Sequence, residues 1–156
     1  MRVSIVAVGR LKSGPELTLI NDYADRFRKT GRGLGFTALE IIEVDERKAT
    51  TKQAQGSALL SAHSASGMIW ACDERGKQLS SMEFAKALQA LADQGISDLT
   101  FMIGGADGLS SAVLDRADRK LSFGPMVWPH ILVRVMMTEQ LYRAASILAG
   151  LPYHRA

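Results

Sequence analysis

The sequence predicts an α/β protein, a mostly parallel sheet flanked by helices. Short apolar or β-branched runs alternate with longer stretches of helical periodicity along the whole chain. The segments joining successive strand candidates are too long for hairpins, so the strands need crossover connections and run parallel. Size agrees: 156 residues, 47% hydrophobic and 22% charged with a mean hydropathy of +0.02, suit one compact domain spanning the chain.

Taken in order, residues 3–8 form a β-branched run ended by Gly9. Pro15 suits a first helical turn and opens 16–29, where Leu17, Ile20, Tyr23, Ala24 and Phe27 recur at helical spacing. Three glycines and Arg32 in 30–35 read as a flexible loop, and 36–44 is the second strand. After a polar stretch, 53–65 reads as a weak helix with Leu59 and Leu60 on its inner side, broken by Gly67. Residues 68–73 are a third strand. Ser80 or Ser81 caps the most periodic helix, through Phe84, Leu88 and Leu91, which ends near Gly95. Residues 99–103 are the fourth strand, Ser110 or Ser111 caps a helix reaching about Arg119, and 121–123 start a fifth strand. The last long helix spans 131–149.

Composition excludes several classes. Fourteen glycines and four prolines lie scattered between apolar runs, which argues against a disordered chain. Cys72 is the single cysteine, so no intrachain disulfide exists, and a reducing cytoplasm is the expected compartment. No run approaches the ~20 uncharged residues of a membrane span, and the start lacks a secretory pattern. Charge is uneven. Residues 1–35 carry seven basic side chains against three acidic ones, +4 in a chain of net +3. On charge alone a solvated helix face plus a mobile loop explains this better than a phosphate-backbone contact face.

In parallel α/β sheets ligands bind beyond the carboxyl ends of the strands. That rule selects the turns at 72–77, 104–109 and 123–130. The Gly104 to Gly108 turn joins a strand to a helix, and its glycines let a ligand approach the main chain. It is neither a Walker loop nor a dinucleotide fingerprint, and a tight structural turn accounts for it equally well. His130, at a helix start, reads as a hydrogen-bonded structural residue; Cys72 and His63 lack metal-ligand spacing, and no metal is expected. Apolar residues of the last helix cover more than one stripe, which points to burial on most sides and to a subunit interface. Glu139, Gln140 and Arg143 must then find partners there. The chain ends in Tyr153, His154 and Arg155, which bring together an aromatic platform, a group that titrates near neutrality and a fixed cation.

Four segments together carry a family resemblance: V-A-V-G at Val6 to Gly9, I-G-G-A-D-G-L-S at Ile103 to Ser110, P-H-I-L-V-R-V-M-M-T-E-Q-L-Y-R-A at Pro129 to Ala144, and P-Y-H-R at Pro152 to Arg155. Over essentially its whole length the sequence resembles the RlmH family, SPOUT-class 23S rRNA (pseudouridine-N3) methyltransferases. The resemblance implies a SPOUT-type fold with a C-terminal trefoil knot, a homodimer, and S-adenosylmethionine as cofactor. It implies cofactor contacts at Cys72, Gly104, Phe123, Gly124, Pro125, Met126, Val127 and Trp128. Relatives often have G-G-P-E-G where Ala106 and Asp107 stand here. They also tend to carry serine and threonine before the P-H pair, where this chain has Gly124, Pro125 and Val127. Main-chain groups are therefore the expected contacts. The implied substrate partner is 23S rRNA helix 69 in the assembled ribosome.

The N3 of pseudouridine is a weakly acidic imide nitrogen, so methylation requires loss of its proton. Tyr153, His154 and Arg155, reaching over the partner subunit's cofactor with Arg143 assisting, are the expected catalytic residues. His154 is the candidate proton acceptor, although a cation alone suffices if it lowers the pKa of the imide. Two rival readings are a flavodoxin-like nucleotide- or flavin-binding module, disfavoured by the lack of lysine in the glycine turn, and a non-enzymatic ribosome-associated dimer.

Overall fold

A computed structural model describes residues 1–155 and bears out the parallel α/β architecture. Five strands, β1 (Arg2–Val8), β2 (Ala38–Val44), β3 (Met68–Gln78), β4 (Asp98–Ile103) and β5 (Arg119–Ser122), form one sheet in the order β2-β1-β4-β3-β5, every pair parallel. The connecting helices are α1 (Pro15–Gly31), α2 (Lys52–Ser61), α3 (Ser81–Asp93), α4 (Ser111–Arg116) and α5 (His130–Leu148). Alternation along the strands sorts the core into two layers. Val3, Ile5, Ala7, Phe101 and Ile103 face α1, α3 and α5, while Val6, Val8, Ala71 and Met102 face α2 and α4. A sheet covered on both sides buries both sets, which explains why its strands read as continuous apolar runs.

Local chemistry fixes several boundaries. Ser80 is the cap of α3: its hydroxyl accepts from Glu83 N–H while the Glu83 carboxylate accepts from Ser80 N–H at 2.7 Å, a reciprocal capping box. Ser110, not Ser111, caps α4. Four differences from the sequence reading have tertiary causes. The 30–35 loop is largely helical: α1 runs to Gly31 and a 3-10 turn follows at Arg32–Leu34, closed by Gly35 at φ 84°. Phe36 leaves the strand to stack on Phe27 at 5.5 Å, so β2 begins later. α2 is shorter than expected because His63 turns inward, its ring nitrogens 2.9 Å from Thr100 Oγ1 and 3.1 Å from the Gly67 carbonyl. α4 stops at Arg116 because Asp118 docks on β3, its carboxylate accepting from Ile69 N–H at 2.7 Å, and this starts β5 early.

The largest difference is β3. It continues to Gln78 with a bulge, because Cys72 and Lys77 both register against Leu121 and residues 73–76 are thrown out of the ladder. Gly76 lets the excursion return. A Cβ there would lie 2.7 Å from the backbone of Lys120 and Leu121.

α5 packs on α1 and α3 and is covered on most sides, as its composition predicts. Met137, Leu141, Ala144 and Ala145 are buried, whereas Leu132 is 39% exposed. Among the described residues no helix is long and apolar enough to cross a membrane.

Candidate active site

The carboxyl ends of β4, β3 and β5 lie side by side, and the turns leaving them enclose a cavity of about 410 Å³. Its walls include Cys72, Glu74 and Arg75 from the β3 bulge, the whole 104–109 turn, and Phe123 and Trp128 from the segment before α5. The volume suits a ligand of cofactor size. All three turns selected by the strand-end rule meet here. Of the eight cofactor candidates, Cys72, Gly104, Phe123, Gly124, Met126, Val127 and Trp128 line the cavity; Pro125 is not among its lining residues.

Glycine is required where the walls are thinnest. A Cβ on Gly104 would lie 2.5 Å from the Gly108 carbonyl carbon and 2.8 Å from Leu109 N. Gly108 donates to the Gly105 carbonyl at 3.0 Å and sits at φ 76°, so the turn is a closed loop of main chain facing the cavity. Gly124 also has a positive φ, 114°, and donates to Ser122 Oγ at 3.0 Å; that hydroxyl lies 3.0 Å from the Glu74 carbonyl as well. Ser122 thus holds the bulge and the third turn together, a role that a lone serine at a strand end did not advertise.

Electrostatics around the cavity are asymmetric. Asp73, Glu74 and Asp107 supply carboxylates, Lys52 and Arg75 cations. Asp73 is held below the ordinary carboxylate range by hydrogen bonds from the Arg75 side chain at 3.0 and 3.1 Å. Burial pushes the Cys72 thiol up to about 12, so it lines the wall as an uncharged packing group. Among the described residues there is no cluster of three His, Cys, Asp or Glu that could hold a metal ion.

His130 also lines the cavity and backs on Gly9, while one turn along the helix Arg134 is buried. Arg134 donates to Glu43 Oε1 at 3.1 Å and to the carbonyls of Val8 and Gly9 at 3.2 and 2.9 Å, pinning the start of α5 to the ends of β1 and β2. An arginine interrupting the apolar run 131–137 was the available signal for this buried cation.

The four expected catalytic residues gather elsewhere. Tyr153, His154, Arg155 and Arg143 are absent from the cavity lining of their own chain. The tail folds back on α5, where the Tyr153 ring packs on Tyr142 at 4.6 Å and lies beneath the Arg143 guanidinium at 4.7 Å. Arg143 Nη1 faces His154 Nδ1 at 3.4 Å, and Arg155 is exposed. Burial first, then hydrogen bonds with Tyr23 and Glu139, raise the Tyr153 phenol above its ordinary value, keeping it a hydroxyl donor.

The basic N-terminal stretch is largely spent on ion pairs. Arg2 meets Asp98, Arg10 Asp45, Arg26 Asp22 and Arg28 Asp25; Lys12, Lys29 and Arg32 have no ion pair among the described residues.

A parallel sheet with a cofactor-sized cavity at adjoining strand ends defines an α/β protein with a cavity where such sheets hold small ligands. The chain belongs to the SPOUT methyltransferase family, matching the family described as predicted SPOUT methyltransferase over residues 1–154. It is 55% identical over 155 residues to the ribosomal RNA large subunit methyltransferase H of Dinoroseobacter shibae, and 53% identical to that of Ruegeria pomeroyi, covering 99% of each chain in both cases. The protein of that name from Phenylobacterium zucineum is 50% identical at the same coverage. Among solved structures, a probable methylase family protein from Haemophilus influenzae superposes with a TM-score of 0.53 at 14% identity, over 99% of this chain and 70% of that one, and shares the fold.

Proposed function

We propose that this protein is an S-adenosylmethionine-dependent methyltransferase acting on N3 of a pseudouridine in 23S rRNA, in helix 69 of the assembled ribosome, as a homodimer with a knotted C-terminal region. The observation that carries the reading is the separation described above: a cavity at the strand ends, and a Tyr153-His154-Arg155 tail held on α5 outside it. A second copy supplying its tail completes the reaction centre. Met126 and Val127, 69% and 82% exposed beside the cavity, and Leu132 on α5 supply apolar surface for that copy. The relatives' printed names support the rRNA substrate, and a ribosomal substrate makes the cytoplasm its compartment.

The cavity fits the cofactor. The closed Gly104 to Gly108 loop offers main-chain groups, Leu109, Phe123 and Trp128 offer apolar wall, and nearby carboxylates suit a ligand carrying an ammonium and a sulfonium. When bound, S-adenosylmethionine supplies an electrophilic methyl group for in-line attack by N3. The chain's own part is orientation and charge. Tyr153 and His154 position the base, and Arg143 and Arg155 stabilise the imidate that remains when N3 gives up its proton.

Mass spectrometry of 23S rRNA from a strain lacking the protein tests this: one pseudouridine should lose one methyl group and regain it on complementation. Calorimetry should show binding of S-adenosylmethionine and of its demethylated product. An unchanged rRNA methylation pattern overturns the reading.

A further inference from the structure

One carboxylate gathers the polar contacts beneath the tail. Glu139 Oε1 accepts from Tyr153 Oη at 2.8 Å and from Arg143 Nε and Nη2 at 3.0 and 2.6 Å, and Oε2 accepts from Gln140 Nε2 at 2.7 Å. Gln140 Oε1 in turn accepts from Ser81 Oγ at 2.8 Å, which anchors the group to the first turn of α3. The pair with Arg143 is mostly buried, with 16% of the Glu139 and 25% of the Arg143 side chain exposed. Two of the three guanidinium nitrogens are thereby fixed, and the third, Nη1, is aimed at His154 Nδ1. A guanidinium has hydrogens to give and no lone pair to receive one. Nδ1 must therefore be the acceptor in this contact, and the hydrogen of the neutral ring lies on Nε2.

We infer that Glu139 is a positioning residue which, through Arg143, locks His154 in the Nε2–H tautomer, so that His154 acts on the nucleotide as a hydrogen-bond donor and not as the base. This rests on the function proposed above and deepens it. With Nδ1 occupied and Nε2 protonated, the imidazole has no free lone pair for the N3 proton. That proton leaves to solvent hydroxide, giving water, and the imidate charge spreads onto the flanking carbonyl oxygens. Nε2–H then donates to one such oxygen as charge develops there, which is where a preorganised donor contributes most. Glu139 itself touches neither nucleotide nor cofactor. Its part is to keep the Arg143 fork, the Tyr153 hydroxyl and hence the His154 ring in one geometry.

Two measurements test this on the full-length dimer. Long-range proton–nitrogen NMR of the His154 imidazole should show a protonated Nε2 and a pyridine-like Nδ1; Arg143→Met, and more mildly Glu139→Gln, should give a mixture of tautomers. A protonated Nδ1 in the unaltered protein overturns the inference. In methylation assays on ribosomes from a strain lacking the protein, His154→Gln retains an amide donor near the Nε2 position and no basic nitrogen. It should stay within about tenfold of the unaltered kcat, whereas His154→Ala should lose about 100-fold, the scale of a lost transition-state donor. Equal loss in both variants overturns the donor role. Failure of the unaltered protein to methylate such ribosomes counts against the proposed function instead, and the NMR measurement decides the tautomer independently.

Discussion

α5 carries two arginine–glutamate clusters nine residues apart, Arg134 with Glu43 and Arg143 with Glu139, and they do different work. Arg134 is 1% exposed and directs its terminal nitrogens at Glu43 and two main-chain carbonyls, while its Nε has no partner among the described residues. Every bond its side chain makes ties one element to another. Arg143 pairs within its own helix, lies partly open, and keeps one nitrogen for the tail. The difference teaches that burial with cross-element bonds makes a charge structural, whereas partial exposure with a spare donor leaves it available for chemistry.

Removing each cluster separately should separate stability from turnover. Arg134→Met leaves the Glu43 carboxylate with only the Leu11 N–H and takes a donor from two carbonyls where the start of α5 meets β1 and β2, and should cost about 4 kcal/mol of folding free energy in urea titrations. A change below about 1 kcal/mol contradicts the structural role. Deleting residues 153–156 should do the reverse: turnover falls at least about 100-fold, equivalent to roughly 3 kcal/mol of barrier, with S-adenosylmethionine affinity by calorimetry largely intact and Tm nearly unchanged. Full activity in the truncated protein removes the tail from the reaction.

Gly104→Ala addresses the cavity itself. With a Cβ forced 2.5 Å from the Gly108 carbonyl carbon, the loop must open, and calorimetric affinity for the cofactor should drop tenfold or more, about 1.4 kcal/mol. Ser80→Ala serves as a comparison for ordinary destabilisation. Loss of the α3 cap should lower stability by about 1 kcal/mol and leave kcat on ribosomes unchanged. The smallest effect concerns Cys72. Its folded value, near 12, exceeds the ordinary 9.0, so the stability tied to the neutral thiol is complete below about pH 9 and is lost as pH rises toward 12. Iodoacetamide at pH 8 should leave the native thiol unmodified on a timescale that alkylates the urea-unfolded chain.

Much of this was legible from residue order. β1, β4 and α3 read clearly because each carries a strong periodic pattern with its own boundary signal, Gly9, Gly104 and the Ser80 cap. The strand-end rule found all three cavity turns, since it depends on topology and not on side chains. The β3 bulge was hidden, because a ladder interrupted at 73–76 and resumed at Lys77 is decided by Leu121, far along the chain. In the sequence Glu139 reads only as a polar group needing a partner, although its i, i+4 spacing to Arg143 is a usable signal.

The sequence by itself determined where most strands and helices lie, that the strands run parallel, and which turns line the cavity, because periodicity, glycine and capping residues act locally. Only the tertiary structure decided that the tail lies on α5 outside the cavity, that Arg134 is buried, and which nitrogen of His154 meets Arg143. These depend on distances between residues remote in the chain, and on the competition for each donor and acceptor that packing alone resolves.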